Sequence, residues 1–206
     1  MSFAILIITF AWNLLPMATV EIWKEYYAGI RIGLGQPAVL LLGEFLQPIQ
    51  RLIIFKELYQ KGLRIKAMVA QAVAWNKEFP LERIFIAEKN KEFSPQFAAQ
   101  DLPIWPIAYD EKSPDYAVNL ASEQLGRFLP IPEEFKLSPQ DKGAALVVRA
   151  ACEMTAAEFR AYRTKAADPE RPTPDKPLQI HHYTMDAVHL MVLGLFSSPD
   201  YRCRWI

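Results

Sequence analysis

The chain has 206 residues, of which 51% are apolar and 12% aromatic, enough for a single domain with a substantial core. Its 23 Lys and Arg residues balance 23 Asp and Glu residues, which argues against a large basic surface that coats nucleic acid or an anionic membrane, although a local basic groove stays compatible. Two cysteines, Cys152 and Cys203, form no CxxC pair and no disulfide framework, as is typical of a reducing compartment.

Residues 1–20 form an apolar N-terminal segment without a charged side chain, and the first charge is Glu21. About 20 apolar residues are enough to cross a bilayer, but no Lys or Arg precedes the run, and Asn13 and Pro16 interrupt it. Four interpretations stay open: a buried element, an upstream extension if translation starts at Met17, a membrane anchor, or a cleaved signal. We predict a single mixed α/β domain over residues 21–206.

The first part of this domain predicts one short strand followed by a long helical region. Residues 28–36 alternate between apolar and small residues and include glycines, which indicates a strand that ends in a tight turn. Residues 38–76 carry an approximate helical stripe, with a kink at Pro48 and a second segment, Ile65 to Trp75, after Gly62. The stripe consists of Leu42, Phe45, Leu46, Ile49, Ile53 and Leu58.

The second part alternates one clear strand with proline-rich connections. Residues 81–88 are rich in β-branched and aromatic residues and predict a strand that ends at Glu88. Residues 93–142 hold seven prolines and predict a loop-rich region with a strand near 102–109 and a helix near 116–128. Residues 143–165 predict a helix in which Thr155 and Glu158 have the spacing of a capping box.

A second proline-rich linker, residues 166–177, precedes the last predicted helix, which runs from Thr184 to Phe196. Together these patterns predict an α/β or α+β fold that is helix-dominated and has a few strands.

All three histidines lie within nine residues near the end of the chain: His181, His182 and His189. On a helix, His182, Asp186 and His189 would share one face, and imidazole and carboxylate are common metal ligands. However, positions i, i+4 and i+7 span two turns and converge poorly on one ion. A metal site here would therefore need a ligand from elsewhere in the chain.

Asp186 leads a strongly apolar helix, and two-metal nucleases hold Mg²⁺ ions between such a carboxylate and others from strand ends. The segment 181–195, HHYTMDAVHLMVLGL, resembles the third RuvC motif of the CRISPR RNA-guided DNA endonucleases with split RuvC and HNH domains. In that family a His-His pair precedes an Asp-Ala dipeptide. The resemblance covers about fifteen residues and implies that Asp186 binds metal and that His182 or His181 acts as a general base.

Two further motifs of that family can be sought in the chain. Glu88, which closely follows the strand residues Ile84, Phe85 and Ile86, resembles the second motif, in which a strand ends in a metal-binding Glu. The turn at residues 32–35, Ile-Gly-Leu-Gly, resembles the first motif without its acidic residue, and no HNH segment is present. The family's histidines precede the Asp by three and four residues, whereas here the spacing is four and five. The resemblance therefore implies a divergent or partial RNase H-like domain rather than a complete enzyme of that family.

The leading hypothesis is a divergent or incomplete RNase H-like (RuvC-type) nucleic-acid-processing protein in the cytoplasm, which hydrolyses phosphodiester bonds with Mg²⁺ if it is active. Its predicted metal-binding residues are Asp186 and Glu88, and His182 and His181 assist catalysis. The competing hypothesis is a non-enzymatic interaction or scaffold protein that binds a protein partner and is anchored in a membrane through residues 1–20. Under that hypothesis Asp186 only stabilises a helix N-terminus that Thr184 caps.

Overall fold

The computed structural model describes residues 23–33, 35–47, 50–108, 120, 124, 145–166 and 183–197, and it does not describe the side chains of 162–166. The predicted apolar segment 1–20, the linker 166–177 beyond its first residue and most of the helix predicted near 116–128 lie outside these residues, as do His181 and His182. Within the described segments, none of the helices is long and apolar enough to cross a lipid bilayer.

The described residues form one six-stranded sheet with helices on both faces. The strands are β1 (Trp23–Arg31), β2 (Pro37–Gln47), β3 (Arg51–Lys61), β4 (Leu81–Ala87), β5 (Ile104–Ile107) and β6 (Leu146–Val148). The helices are α1 (Ile65–Glu78), the short α2 (Ser94–Ala98), α3 (Glu153–Ala166) and α4 (Tyr183–Phe196), and a 3-10 helix spans Glu88–Phe93.

The strands lie in the order β5-β4-β1-β2-β3-β6. The first three form an antiparallel meander, β4 pairs parallel to β1, β5 parallel to β4, and β6 parallel to β3. The meander is closed by short turns, whereas the parallel pair of β1 and β4 requires the crossover that contains α1. This topology places the carboxyl ends of β1 and β4 side by side.

Two apolar clusters cover the two faces of the sheet. On one face α1 buries Met68, Val69, Ala72 and Trp75 against β1, β2 and β4. On the other face α4 packs against β1, β2, β4 and β5, and nearly all its residues from Thr184 to Gly194 are buried. A helix that is apolar on all sides is typical of such an enclosed position.

The prediction of a helix-dominated fold is wrong, because the core is a sheet, and residues 38–47 and 51–61 lie in β2 and β3 rather than in a helix. Leu40, Leu41 and Leu42 are all fully buried, with Leu41 in the cluster under α4 and its two neighbours in the cluster under α1. A strand covered on both faces is continuously apolar, so its sequence carries no alternation and can imitate a helical stripe. The prediction of a mixed α/β fold is confirmed.

Other sequence predictions match the structure more closely. The predicted strands at 28–36, 81–88 and 102–109 correspond to β1, β4 and β5, and the predicted helices at 65–75 and 184–196 correspond to α1 and α4. The predicted helix over 143–165 is correct only in its second half, because Leu146–Val148 extends the sheet as β6.

Candidate functional site

The candidate site lies at the edge of the sheet where β1 and β4 end and α4 begins. Ile30 of β1 is in register with Ile86 of β4, so Arg31, the last residue of β1, is level with Ala87, and Glu88 follows β4 at the same edge of the sheet. Adjacent strands lie about 5 Å apart, so the backbones at these two ends are close neighbours. Asp186 is in the first turn of α4, which packs on both strands.

Two glycines allow α4 to lie directly on the sheet. A Cβ atom on Gly29 of β1 would overlap the backbone carbonyl oxygen of Ala187 and approach Cγ of Met191 to 2.7 Å. A Cβ atom on Gly194, near the other end of α4, would overlap the ring of Phe85 on β4. Because neither position carries a side chain, the first turn of α4 sits against the end of β1 and brings Asp186 to Arg31.

Arg31 and Asp186 form an ion pair, with 2.8 Å between the Nε and Oδ2 atoms. The Nη1 atom of Arg31 donates to the carbonyl oxygen of Pro37 at 2.7 Å, and Nη2 donates to the side chain of Gln36 at 2.5 Å. The guanidinium carbon also lies 4.4 Å from the centre of the Tyr183 ring. All three guanidinium nitrogens are therefore held, and only 15% of the Arg31 side chain is exposed.

Asp186 keeps 41% of its side chain exposed, so its carboxylate faces both Arg31 and solvent. The N-terminal turn of α4 favours a negative charge at this position, because the first backbone N–H groups of a helix point towards it. The structural interpretation of Asp186 as a charge that stabilises a helix start is thus compatible with the geometry, and the ion pair adds a second, long-range role.

Glu88 opens the 3-10 helix directly after β4, as the sequence predicts for a residue at a strand end. Its carboxylate lies 3.4 Å from Nζ of Lys91, and one third of the side chain is exposed. Lys89 and Lys91 are both exposed next to it. The metal-binding role of Glu88 stays a prediction.

The sequence left open a metal site that includes His182, Asp186 and His189, and this arrangement stays a hypothesis. His182 and His181 lie outside the described residues, and His189 is buried in α4 with 2% exposure. Over the described ranges, no group of three or more His, Cys, Asp and Glu side chains could hold a metal ion.

Two glutamates accept hydrogen bonds from the N-termini of α3 and α4. Neither was predicted from the sequence as a site residue. Glu57 of β3 accepts from the backbone N–H groups of Met154 and Thr155 and from the Thr155 hydroxyl, at 2.8 to 3.0 Å. Glu158 of α3 accepts from the backbone N–H groups of Thr184 and Met185 and from the Thr184 hydroxyl, at 2.6 to 3.2 Å.

These contacts correct two predictions. Thr155 and Glu158 have the spacing of a capping box, but Thr155 bonds Glu57 of β3, and Glu158 bonds α4 instead of its own helix. Thr184 is not the N-cap of α4, because the helix begins at Tyr183, and its hydroxyl donates to Glu158. Carboxylates from distant elements replace the local caps, and a local motif does not reveal them.

Burial raises the pKa of Glu158 above its ordinary value of 4.5, and the hydrogen bonds from Thr184 and Met185 oppose this shift. The folded state therefore keeps the proton to a higher pH than the unfolded chain. The contribution of Glu158 to stability is largest below pH 4.5 and is lost as the pH rises from 4.5 through the raised pKa.

We accordingly expect Glu158→Gln, which cannot ionise, to become more stable relative to wild type as the pH rises above 4.5, by about 1.4 kcal/mol for each unit by which the pKa is raised. Urea unfolding of both proteins from pH 4 to 8 measures this difference. Glu153→Gln, at an exposed position of the same helix, is the matched control. A difference that stays constant with pH for Glu158→Gln would contradict the prediction.

No protein-family model and no curated protein sequence matches the chain. Among solved structures, it is similar to the large terminase of a thermophilic bacteriophage, with a TM-score of 0.62, 13% identity and 89% of this chain covered. The chain spans 42% of the length of that terminase.

The chain is also similar to the nuclease domain of the large terminase from bacteriophage SPP1, solved with bound Mn, with a TM-score of 0.54 at 16% identity. That match covers 82% of this chain and 85% of the domain. For the large terminase nuclease from the thermophilic phage G20c, the TM-score is 0.53 at 11% identity, with 84% and 83% of the two chains covered. The chain therefore shares the fold of these terminase nuclease domains.

Proposed function

We propose that this chain is a divergent, incomplete RNase H-like domain that binds nucleic acid at the edge where β1, β4 and α4 meet. The observation that carries the proposal is the position of Asp186 and Glu88 at one edge of this fold, in the first turn of α4 and directly after β4. The similarity to solved nuclease domains supports it, because it covers more than four fifths of both chains.

The described residues at this edge do not fit a resident divalent ion. Mg²⁺ requires near-octahedral oxygen ligands, usually one or two carboxylates with waters and substrate phosphates. The edge offers Asp186 and Glu88, but the first is paired with Arg31 and the second with Lys91. No third metal-binding side chain joins them among the described residues. We therefore propose binding without efficient hydrolysis, and the RuvC-type relationship stays part of the proposal.

Phosphate contacts would come from local positive charge, because the net charge of the chain is zero. Lys89 and Lys91 are exposed beside Glu88, at the carboxyl end of β4. Each lysine that contacts a phosphate releases counterions, which makes binding weaker as the salt concentration rises. These two lysines are the described residues best placed to bind a nucleic-acid backbone at this edge.

The double variant Lys89→Ala/Lys91→Ala is expected to bind duplex DNA about tenfold more weakly at moderate salt, and its plot of log affinity against log salt should be less steep by about 2. Fluorescence anisotropy with labelled single- and double-stranded DNA and RNA measures both quantities. Lys77→Ala, an exposed lysine in the last turn of α1 and therefore at the far end of the sheet, is the control and should bind as wild type does. Equal affinity of all three proteins would contradict the proposed surface.

Hydrolysis is tested with the same nucleic acids in the presence of Mg²⁺ or Mn²⁺. Wild type and Asp186→Ala are expected to cut equally little, because Asp186 is held by Arg31. Clear metal-dependent cutting by wild type that Asp186→Ala abolishes would show a complete nuclease and would overturn the proposal of an incomplete one.

A further inference from the structure

We propose that the guanidinium of Arg31 acts as a built-in cation that takes the place of a divalent ion at Asp186 and keeps metal out of this edge. The inference deepens the proposed function and rests on it for the comparison with metal-bound relatives. Nuclease domains with this fold have been solved with bound Mn and with bound cobalt. In this chain, a positive charge belonging to the protein already contacts the α4 carboxylate.

The position of Arg31 follows from the alternation of side chains along β1. Ala28 and Ile30 face the cluster under α1, whereas Gly29 lies against Ala187 of α4. Arg31 is two residues beyond Gly29, so its side chain leaves the strand on the α4 side, where it meets Asp186. The residue at the end of β1 is therefore the one that the topology directs to the first turn of α4.

The guanidinium is fixed rather than loosely placed. Its Nη1 and Nη2 atoms are held by Pro37 and Gln36, which follow the turn between β1 and β2, and Tyr183 covers its face. A surface arginine with only one partner could rotate away when a metal ion approaches. Here a rotation would break three hydrogen bonds and a ring contact at once, so the positive charge stays beside Asp186.

A divalent ion bound to Asp186 would therefore lie within a few ångströms of a second, fixed positive charge. Arginine does not lose its proton near neutral pH, so this repulsion cannot be relieved by titration. It is also only partly screened, because 15% of the Arg31 side chain is exposed. Asp186 therefore keeps its carboxylate, but the charge of Arg31 lowers its affinity for a divalent ion.

The test is to replace the cation by a carboxylate and to measure metal binding without nucleic acid. In Arg31→Asp, one carboxylate would end β1 and another, that of Asp186, would lie in the first turn of α4, a pair of oxygen donors of the kind that Mg²⁺ and Mn²⁺ accept. We expect titration calorimetry with MnCl₂ to show no saturable binding by wild type at millimolar concentration. Arg31→Asp should bind Mn²⁺ at least about tenfold more tightly, and Mn²⁺ should raise its Tm.

Three further variants keep the test decisive. Arg31→Asp/Asp186→Asn should lose the gain, because the proposed site needs Asp186. Arg83→Asp makes the same charge change near the start of β4, where Arg83 lies 4.3 Å from the centre of the Trp105 ring, and it should not gain Mn²⁺ binding. Arg31→Gln removes the charge with a side chain that can still reach Gln36, and it should show a smaller gain in Mn²⁺ binding. This variant keeps the inference testable if Arg31→Asp does not fold.

Saturable Mn²⁺ binding by wild type that depends on Asp186 would overturn the inference. So would folded Arg31→Asp and Arg31→Gln proteins that bind Mn²⁺ no better than wild type. Because metal binding is measured without DNA or RNA, these results do not depend on the nucleic-acid assays. A failure of the inference is thus distinguishable from a failure of the proposed function.

Discussion

Glu158→Ala is expected to lower the free energy of unfolding by about 3 kcal/mol, the largest effect of a single side-chain truncation at this site. The substitution removes the acceptor of three donors on α4, namely the two backbone N–H groups of Thr184 and Met185 and the Thr184 hydroxyl. Thr184 and Met185 are buried, so water cannot easily hydrogen-bond their donor groups once the carboxylate is removed. Urea unfolding monitored by circular dichroism measures the change.

Two variants show whether the loss belongs to these hydrogen bonds. Glu158→Gln keeps one acceptor oxygen and should be much closer to wild type than Glu158→Ala. Glu153→Ala removes an exposed carboxylate from the first turn of the same helix and should cost well under 1 kcal/mol. If Glu158→Ala were as mild as Glu153→Ala, α4 would not depend on Glu158 for its start.

Gly29→Ala is expected to lower the free energy of unfolding by about 2 kcal/mol, because the added methyl group would overlap the backbone of Ala187 and touch Met191. A backbone carbonyl cannot move aside without shifting the whole first turn of α4. That shift would also separate Asp186 from Arg31, whose Nε–Oδ2 distance is 2.8 Å. Thermal unfolding gives the loss of stability.

Gly43→Ala is the matched control for this prediction. Its added methyl group would meet the ends of two flexible side chains, Leu52 and Met191, at 2.8 and 2.9 Å, and a carbonyl oxygen only at 3.3 Å. Both side chains can adjust, so Gly43→Ala should cost clearly less than Gly29→Ala. A larger loss of stability for Gly43→Ala than for Gly29→Ala would show that α4 does not pack most closely against Gly29 of β1.

Local patterns were enough to predict β4, α4 and the position of Glu88 at a strand end. The run that forms β4 is β-branched and aromatic and is bounded by Pro80 and by charged residues, and α4 is a long apolar run after a linker. In both segments, propensity and burial favour the same structure. Each element could therefore be identified without knowledge of its neighbours.

The second and third strands, β2 and β3, were predicted as a helix because their burial is a property of the whole sheet. β2 is covered by α4 on one face and by α1 on the other, which removes the alternation that identifies a half-exposed strand. Gln50, with a φ of 51°, precedes β3, at a position where Asn or Gly would have signalled a turn more clearly. The sequence alone could not show that two helices enclose these residues.

The polar contacts of the site were missed for a different reason, which is their separation along the chain. Arg31 and Asp186 are 155 residues apart, and Glu57 and Thr155 are 98 apart. The available signal was Arg31 itself, a charged residue between Ile30 and Ile32, at the end of a strand whose residues from Tyr26 to Ile30 are uncharged.

The two outer strands of the sheet have a consequence for how copies of this protein behave in concentrated solution. β6 pairs through only three residues, and β5 through four, one of which, Pro106, has no N–H to offer to another chain. The guanidinium of Arg83 lies over the exposed ring of Trp105 on β5. Within the part of the chain that the structure describes, the outer strands are therefore short and poorly suited to pair with a strand of another copy.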